Sequence, residues 1–122
     1  QAVRDGGVII LAAACPELFG AEKDFVHWLK SYSPDDITRR VHDRTQFTLG
    51  VHGANVMAKP VVHKHATIIM VCCDAMHAAL AGSFINTAPD LAHALAMATK
   101  VKGESSTVAL LRKCRRLFLR HA

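Results

Sequence analysis

Apolar residues fall along this chain in two rhythms. Three short runs, residues 8–14, 67–72 and 107–111, are aliphatic or β-branched almost throughout and do not alternate with polar positions. That is how a strand reads when both of its faces are covered. Between the runs, apolar residues recur every three or four positions, the spacing of a helix with one buried face. Strands alternating with helices predict βαβ units. The expected fold is therefore α/β: a three-layer αβα sandwich around a short, mostly parallel sheet, Rossmann-like in outline, in one domain over residues 1–122.

Residue chemistry marks the helix boundaries. Ser33-Pro34-Asp35-Asp36 supplies an N-cap hydroxyl, a proline at the first helical position and a carboxylate in the first turn. These predict a helix to about Arg44 with Ile37 and Val41 on one face. The segment Asp24-Phe25-Val26-His27-Trp28-Leu29 is amphipathic, with Phe25 and Trp28 on its core face. A third helix is expected to start near Gly50 and to turn Val56, Met57, Val61 and Val62 inward. Pro60 either kinks it or ends it at Lys59. A short helix over residues 74–80, ended by Gly82, follows the second run. Thr87-Ala88-Pro89-Asp90 predicts another cap, opening a helix through Leu91, Leu95 and Ala98 that stops at Gly103. Residues 1–5 read as the last turn of a helix stopped by Gly6-Gly7. With no methionine at the start, the chain is expected to be cut from something longer.

At 122 residues, with 51% hydrophobic and 20% charged, the chain can bury a real core and is not of disordered composition. No apolar run is long enough to cross a bilayer, so no membrane partner is expected. The formal net charge of +5 lies largely in Arg112, Lys113, Arg115, Arg116 and Arg120, which leaves the body close to neutral. Among those basic residues only Phe118 is aromatic, so sequence-reading contacts to nucleic acid are not expected. The cysteines, Cys15, Cys72, Cys73 and Cys114, lack the spacing of a disulfide framework. They are read as reduced thiols of a cytoplasmic protein.

Eight histidines raise the question of a metal. His63-Lys64-His65 would direct both imidazoles one way on a strand edge but apart on a helix, and the end of a helix is the simpler reading. Cys72-Cys73-Asp74 with His77 lacks the paired Cys-x-x-Cys spacing of a structural zinc site and reads as buried strand-end thiols. No metal site is therefore expected. His52 would sit in the first turn of the third helix, where its ring could donate or accept one hydrogen bond. Gly20, in the loop after the first strand, could direct backbone N–H groups toward an anion, although Glu22 beside it disfavours one. No serine elbow, nucleophile–base pair or divided carboxylate pair can be named, so no catalytic residue is assigned to the chain.

Several of these pieces carry a resemblance. Ala2-Val3, Gly6-Gly7-Val8-Ile9-Ile10, Cys15, Gly20 and Phe25-x-x-Trp28-Leu29 resemble the opening of the C-terminal domain of the nickel-pincer lactate racemase family. Phe47-x-Leu49-Gly50-x-His52-x-Ala54 with Ala58-Lys59 is similar to that domain's Gly-x-His helix. Residues 90–95 and Ser106-Thr107-Val108 resemble its closing helix and strand. The sequence departs at Ala21, where many members have serine, and from Arg112 onward. The resemblance implies the C-terminal, substrate-side lid of a two-domain isomerase, a racemase or epimerase of small 2-hydroxy acids. It implies that hydride transfer uses a nickel-pincer nucleotide (nickel pyridinium-3,5-bisthiocarboxylic acid mononucleotide) held by the N-terminal catalytic domain. The chain itself would then hold neither cofactor nor metal and be inactive alone, its partner being that missing domain. The glutamine and lysine that hold the substrate carboxylate would precede Gln1. His52, Cys15 and Gly20 are the substrate-side candidates that remain.

Two other readings stay open. The chain could be a non-enzymatic α/β interaction domain with a basic tail, whose binding would fall steeply with salt. It could also be the ligand-binding half of an unrelated α/β enzyme, with the loops at Cys15 and Cys73 forming the pocket. Fold alone does not separate these.

Overall fold

The computed structural model describes residues 3–15 and 23–112. Gly20, most of the loop that follows the first strand, Cys114 and the basic tail from residue 113 lie outside that range. The elements are β1 (Val8–Ala12), α1 (Lys23–Ser31), α2 (Pro34–Arg40), a 3₁₀ turn (Arg44–Gln46), α3 (Val51–Lys64), β2 (Thr67–Val71), α4 (Asp74–Leu80), β3 (Asn86–Ala88) and α5 (Leu91–Lys102). The strands form one parallel sheet in the order β1-β2-β3. Val8 stands opposite Thr67 and Ala12 opposite Val71, while Ile69 stands opposite Asn86 and Val71 opposite Ala88.

Side-chain alternation along β2 creates the layers. Ile68, Met70 and Cys72 face a large cluster with Trp28, Leu29, Ile37, Val51, Ala54, Ala58, Met76 and Leu80. Helices α1–α4 thus cover one face. Ile69 and Val71 point the other way, into a smaller cluster with Val8, Ile10, Ala88, Ala94, Met97 and Ala98. There α5 lies across all three strands. The three-layer αβα sandwich expected from the sequence is the fold that forms.

Several sequence expectations need correction, the simplest being that α2 ends at Arg40 and not near Arg44. Residues 107–111 are exposed and join no strand, with Val108 and Leu110 at 72% and 79% exposure. The third strand is instead Asn86–Ala88, too short and too polar to announce itself as an apolar run. Because Thr87 is used in that ladder, α5 opens on Asp90 rather than Thr87. The Asp90 carboxylate accepts from the backbone N–H of His93 at 2.8 Å. Finally, of the two alternatives at Pro60 the end at Lys59 is excluded, because α3 continues through the proline to Lys64. The missing proline N–H frees the carbonyl of Val56, and Val56 is exposed rather than buried, so water can take that bond. The buried positions of α3 are Val51, Ala54, Asn55 and Ala58, and Met57 and Val61 pack half-buried against the same core as expected. At the amino end, the described residues form a turn, closed by Gly7 N–H donating to Arg4 C=O at 2.9 Å.

Other local readings hold. Ser33 caps α2, its Oγ accepting from Asp36 N at 3.2 Å. Trp28 is buried against the core, and its Nε1–H donates to Thr48 Oγ1 at 2.8 Å. His65, at φ 48°, ends α3 in the left-handed region, so His63 and His65 belong to a helix end.

The carboxylate caps make stability depend on acid. The backbone N–H of His93, and then its ring, hold the Asp90 carboxyl below its ordinary value. The hydroxyl and backbone N–H of Thr45 do the same for Asp43. A carboxyl depressed in the folded state stabilises the fold above its unfolded pKa, and that contribution fades as pH falls through the folded pKa. Resistance of the native chain to urea is therefore expected to weaken below about pH 4. Asp90→Asn keeps the cap without the titration and should flatten that slope. An unchanged slope would show that the cap carries no such linkage.

Candidate functional site

A helix that connects two parallel strands runs back against them. Its first turn therefore lies at the carboxyl ends of the strands, where open α/β sheets place their binding crevice. This topology sets His52 on the same end of the domain as the loops that leave β1, β2 and β3. The packing of α3 on α1 fixes the arrangement. A methyl group at Gly50 would lie 2.2 Å from Phe25 N, so the start of α3 touches the first turn of α1 backbone to backbone.

At that end an open hollow of about 510 Å³ is lined by Ala12, Ala13, Ala14, Val71, Cys72, Cys73 and Pro89. Its described walls are methyl groups, backbone and thiols, and among the described residues no Asp, Glu, Lys, Arg or His lines it. Ala13 N–H donates to Val71 C=O at 3.3 Å and Cys72 N–H to Ala88 C=O at 3.2 Å. These bonds hold the three strand ends side by side.

The residues singled out in the sequence distribute unevenly around this hollow. Cys15 follows it directly, in a left-handed conformation with φ 40°. Its half-buried side chain packs against the cluster that holds Cys72. Cys72 is buried but Cys73 is exposed, so the expectation of two buried strand-end thiols holds for one of them. Burial first, then the neighbouring Cys73, Cys15 and Asp74, push the Cys72 thiol up. At neutral pH it is a protonated, weak nucleophile. His52 is exposed, and its ring meets Phe47 edge-on at 5.2 Å between centroids. Phe47, Leu49 and Val56 are also exposed, at 51%, 81% and 68%, so His52 stands within an apolar surface. His77 meets the Thr87 hydroxyl beside β3 rather than a thiol.

The sequence reading missed Pro89 and the Ala12-Ala13-Ala14 wall. Pro89 was hidden because β3 was not recognised. The alanines were absorbed into a strand drawn two residues too long, although small residues after an apolar run are a usable sign of a strand-end opening.

A three-stranded parallel sheet between two helical layers, with an open hollow outside its carboxyl ends, places the chain among three-layer, Rossmann-like α/β domains. Residues 1–114 match the lactate racemase C-terminal domain, and the chain belongs to that family. It is 30% identical over 114 residues to a lactate racemase from Thermoanaerobacterium thermosaccharolyticum. That match takes in 90% of the chain but only 26% of the relative's length. The structure of the lactate racemase apoprotein from the same organism superposes with a TM-score of 0.70 at 28% identity. The superposition covers 83% of this chain and 24% of that one.

The described residues do not fit a nickel centre. Among them, no group of three His, Cys, Asp or Glu side chains converges closely enough to hold a metal ion. Nor does any described helix have the length and apolar character to cross a membrane.

Proposed function

We infer that this chain is the substrate-side, C-terminal domain of a longer two-domain racemase or epimerase acting on a small 2-hydroxy acid. The family match over residues 1–114 carries the reading. It is supported by the share of the relative that the chain spans and by the hollow at the strand ends, whose lining offers no acid–base pair among the described residues. On this reading the nickel-pincer nucleotide and the hydride chemistry reside in the rest of the protein. The present domain closes over the substrate, excludes water and presents His52 and Cys15 to the cleft. An apolar surface around His52 suits that task. It would strengthen a hydrogen bond from the imidazole to a bound carboxylate or hydroxyl by removing competing solvent.

The experiment is kinetic. In the whole protein, His52→Ala is expected to lower kcat/KM for the 2-hydroxy acid roughly 10- to 100-fold, the worth of one hydrogen bond to a charged group. Thermal stability should barely change, because the side chain is exposed. An unchanged kcat/KM would remove His52 from the site. The isolated chain is expected to interconvert no lactate enantiomers and to take up no stoichiometric nickel. Racemisation by the isolated chain would overturn the division of labour.

A further inference from the structure

We propose that Cys15 and Cys72 form a reversible disulfide that draws the end of β1 across the strand-end hollow. The described cysteines, Cys15, Cys72 and Cys73, are free thiols, and all follow the carboxyl ends of β1 and β2. Those two strands are neighbours, with Leu11 opposite Met70 and Ala12 opposite Val71. The bond from Ala13 N–H to Val71 C=O carries the ladder one step further. Side chains alternate along extended chain, so Leu11 and Cys15 share a face, as do Met70 and Cys72. All four belong to the large cluster covered by α1–α4.

Position selects this pair. Cys73 has extended backbone, at φ −70° and ψ 165°, and is exposed where its neighbour Cys72 is buried. Those two side chains diverge, and a ring between them would distort the peptide that joins them. Cys15 instead lies on the same face as Cys72, two positions beyond the residue opposite it. Strands about 4.8 Å apart, rising about 3.3 Å per residue, set such neighbours roughly 8 Å apart between Cα atoms. A disulfide spans about 6 Å, so Cys15 must move toward β2 by about 2 Å. It is suited to do so. Its φ of 40° lies in the left-handed region, which costs a non-glycine residue. It follows Ala13 and Ala14, both exposed, whose methyl groups do not anchor the chain. The thiols already act on one another, since Cys15 is among the groups that, after burial, push the Cys72 thiol up.

The oxidant is a hydroperoxide. Cys15 is half-buried and Cys72 buried, so Cys15 reacts first. Its sulfur takes the terminal oxygen, the O–O bond breaks, and water or the alcohol leaves behind a sulfenic acid. Cys72 Sγ then attacks that sulfur. The S–S bond forms, the S–O bond breaks, and the departing hydroxide takes the Cys72 proton and leaves as water. Two thiols lose two electrons and the peroxide gains them. An external dithiol reverses the bridge by exchange. Ala13, Ala14 and Cys72 line the hollow, so the bridge narrows it and would shut out a ligand held there. The proposal does not depend on the racemase reading.

Hydrogen peroxide treatment of the whole chain, followed by non-reducing peptide mapping, tests it. The expected product is a linked peptide pair joining Cys15 to Cys72 within one chain, undone by dithiothreitol. Cys73→Ser should form the same bridge, and Cys15→Ser should form none. The amide of Ala13 should exchange at least about tenfold more slowly in the bridged protein than in the reduced one, because the bridge ties the end of β1 to β2. Mapping of the native chain decides the pairing even where a variant fails to fold. A link through Cys73 or Cys114, a bridge only between two chains, or a Cys15 oxidised to the sulfinic acid without bridging would each overturn the proposal. Exchange at Ala13 that ignores the bridge would sink the claim that the end of β1 moves.

Discussion

Gly50→Ala is expected to cost the domain about 3 kcal/mol or more, or to prevent it from folding. The reason is space. Gly50 has an ordinary φ of −73°, so alanine could adopt its backbone conformation. The added methyl, however, would lie 2.2 Å from Phe25 N and 2.7 Å from the carbonyl carbon of Asp24. Both are main-chain atoms of α1, and relieving the clash means prising α1 from α3. Gly53 provides the control. A methyl there meets only the Phe25 ring, at 3.0 Å and 3.1 Å, and a ring can turn aside. Alanine also gains about 1 kcal/mol over glycine inside a helix, so Gly53→Ala should fall within about 1 kcal/mol of the native chain. Urea unfolding of both variants decides the matter. Similar stabilities for the two would mean that the α1–α3 approach is looser than described. Since that approach sets the first turn of α3, Gly50→Ala should also disturb His52.

Ile69→Ala is expected to cost about 3–5 kcal/mol. Ile69 is fully buried at the centre of β2 and is the largest side chain at the heart of the smaller cluster beneath α5. Its fully buried companions, Ala88 and Ala94, are too small to close the cavity. The loss should loosen α5 first, so the amides of Ala94 and Ala98 should lose exchange protection before those of α3. On the outer side of the same helix, Leu91 is 50% exposed, and Leu91→Ala should change stability by no more than about 0.5 kcal/mol. Comparable unfolding midpoints for the two variants would mean that α5 is not a structural layer.

These sites show how far the sequence could be read. The Val-Ile-Ile-Leu and Thr-Ile-Ile-Met-Val runs identified β1 and β2 because strands buried on both faces must be continuously apolar. Ser33-Pro34 located α2 because capping chemistry acts within four residues. Asn86-Thr87-Ala88 was invisible, since a three-residue edge strand gains its ladder from a neighbour 17 positions away in the register and not from its own composition. Val56 was turned inward because periodicity fixes which residues share a helix face but not which face meets the sheet. Of the residues proposed for the site, His52 and Cys15 could be named in advance, and neither is among the residues that line the strand-end hollow. The alanine wall and Pro89 could not.

What the sequence by itself determined was the kind of layers, their order along the chain and the family signature, because each rests on local patterns of apolarity and capping. Only the tertiary structure decided that β1 pairs with β2 alone among the described strands, that Gly50 is a contact point between two helices, and that the strand-end hollow and His52 occupy one end of the domain. Those depend on distances between segments far apart in the chain. Close packing in three dimensions sets such distances, and no single stretch of residues encodes them.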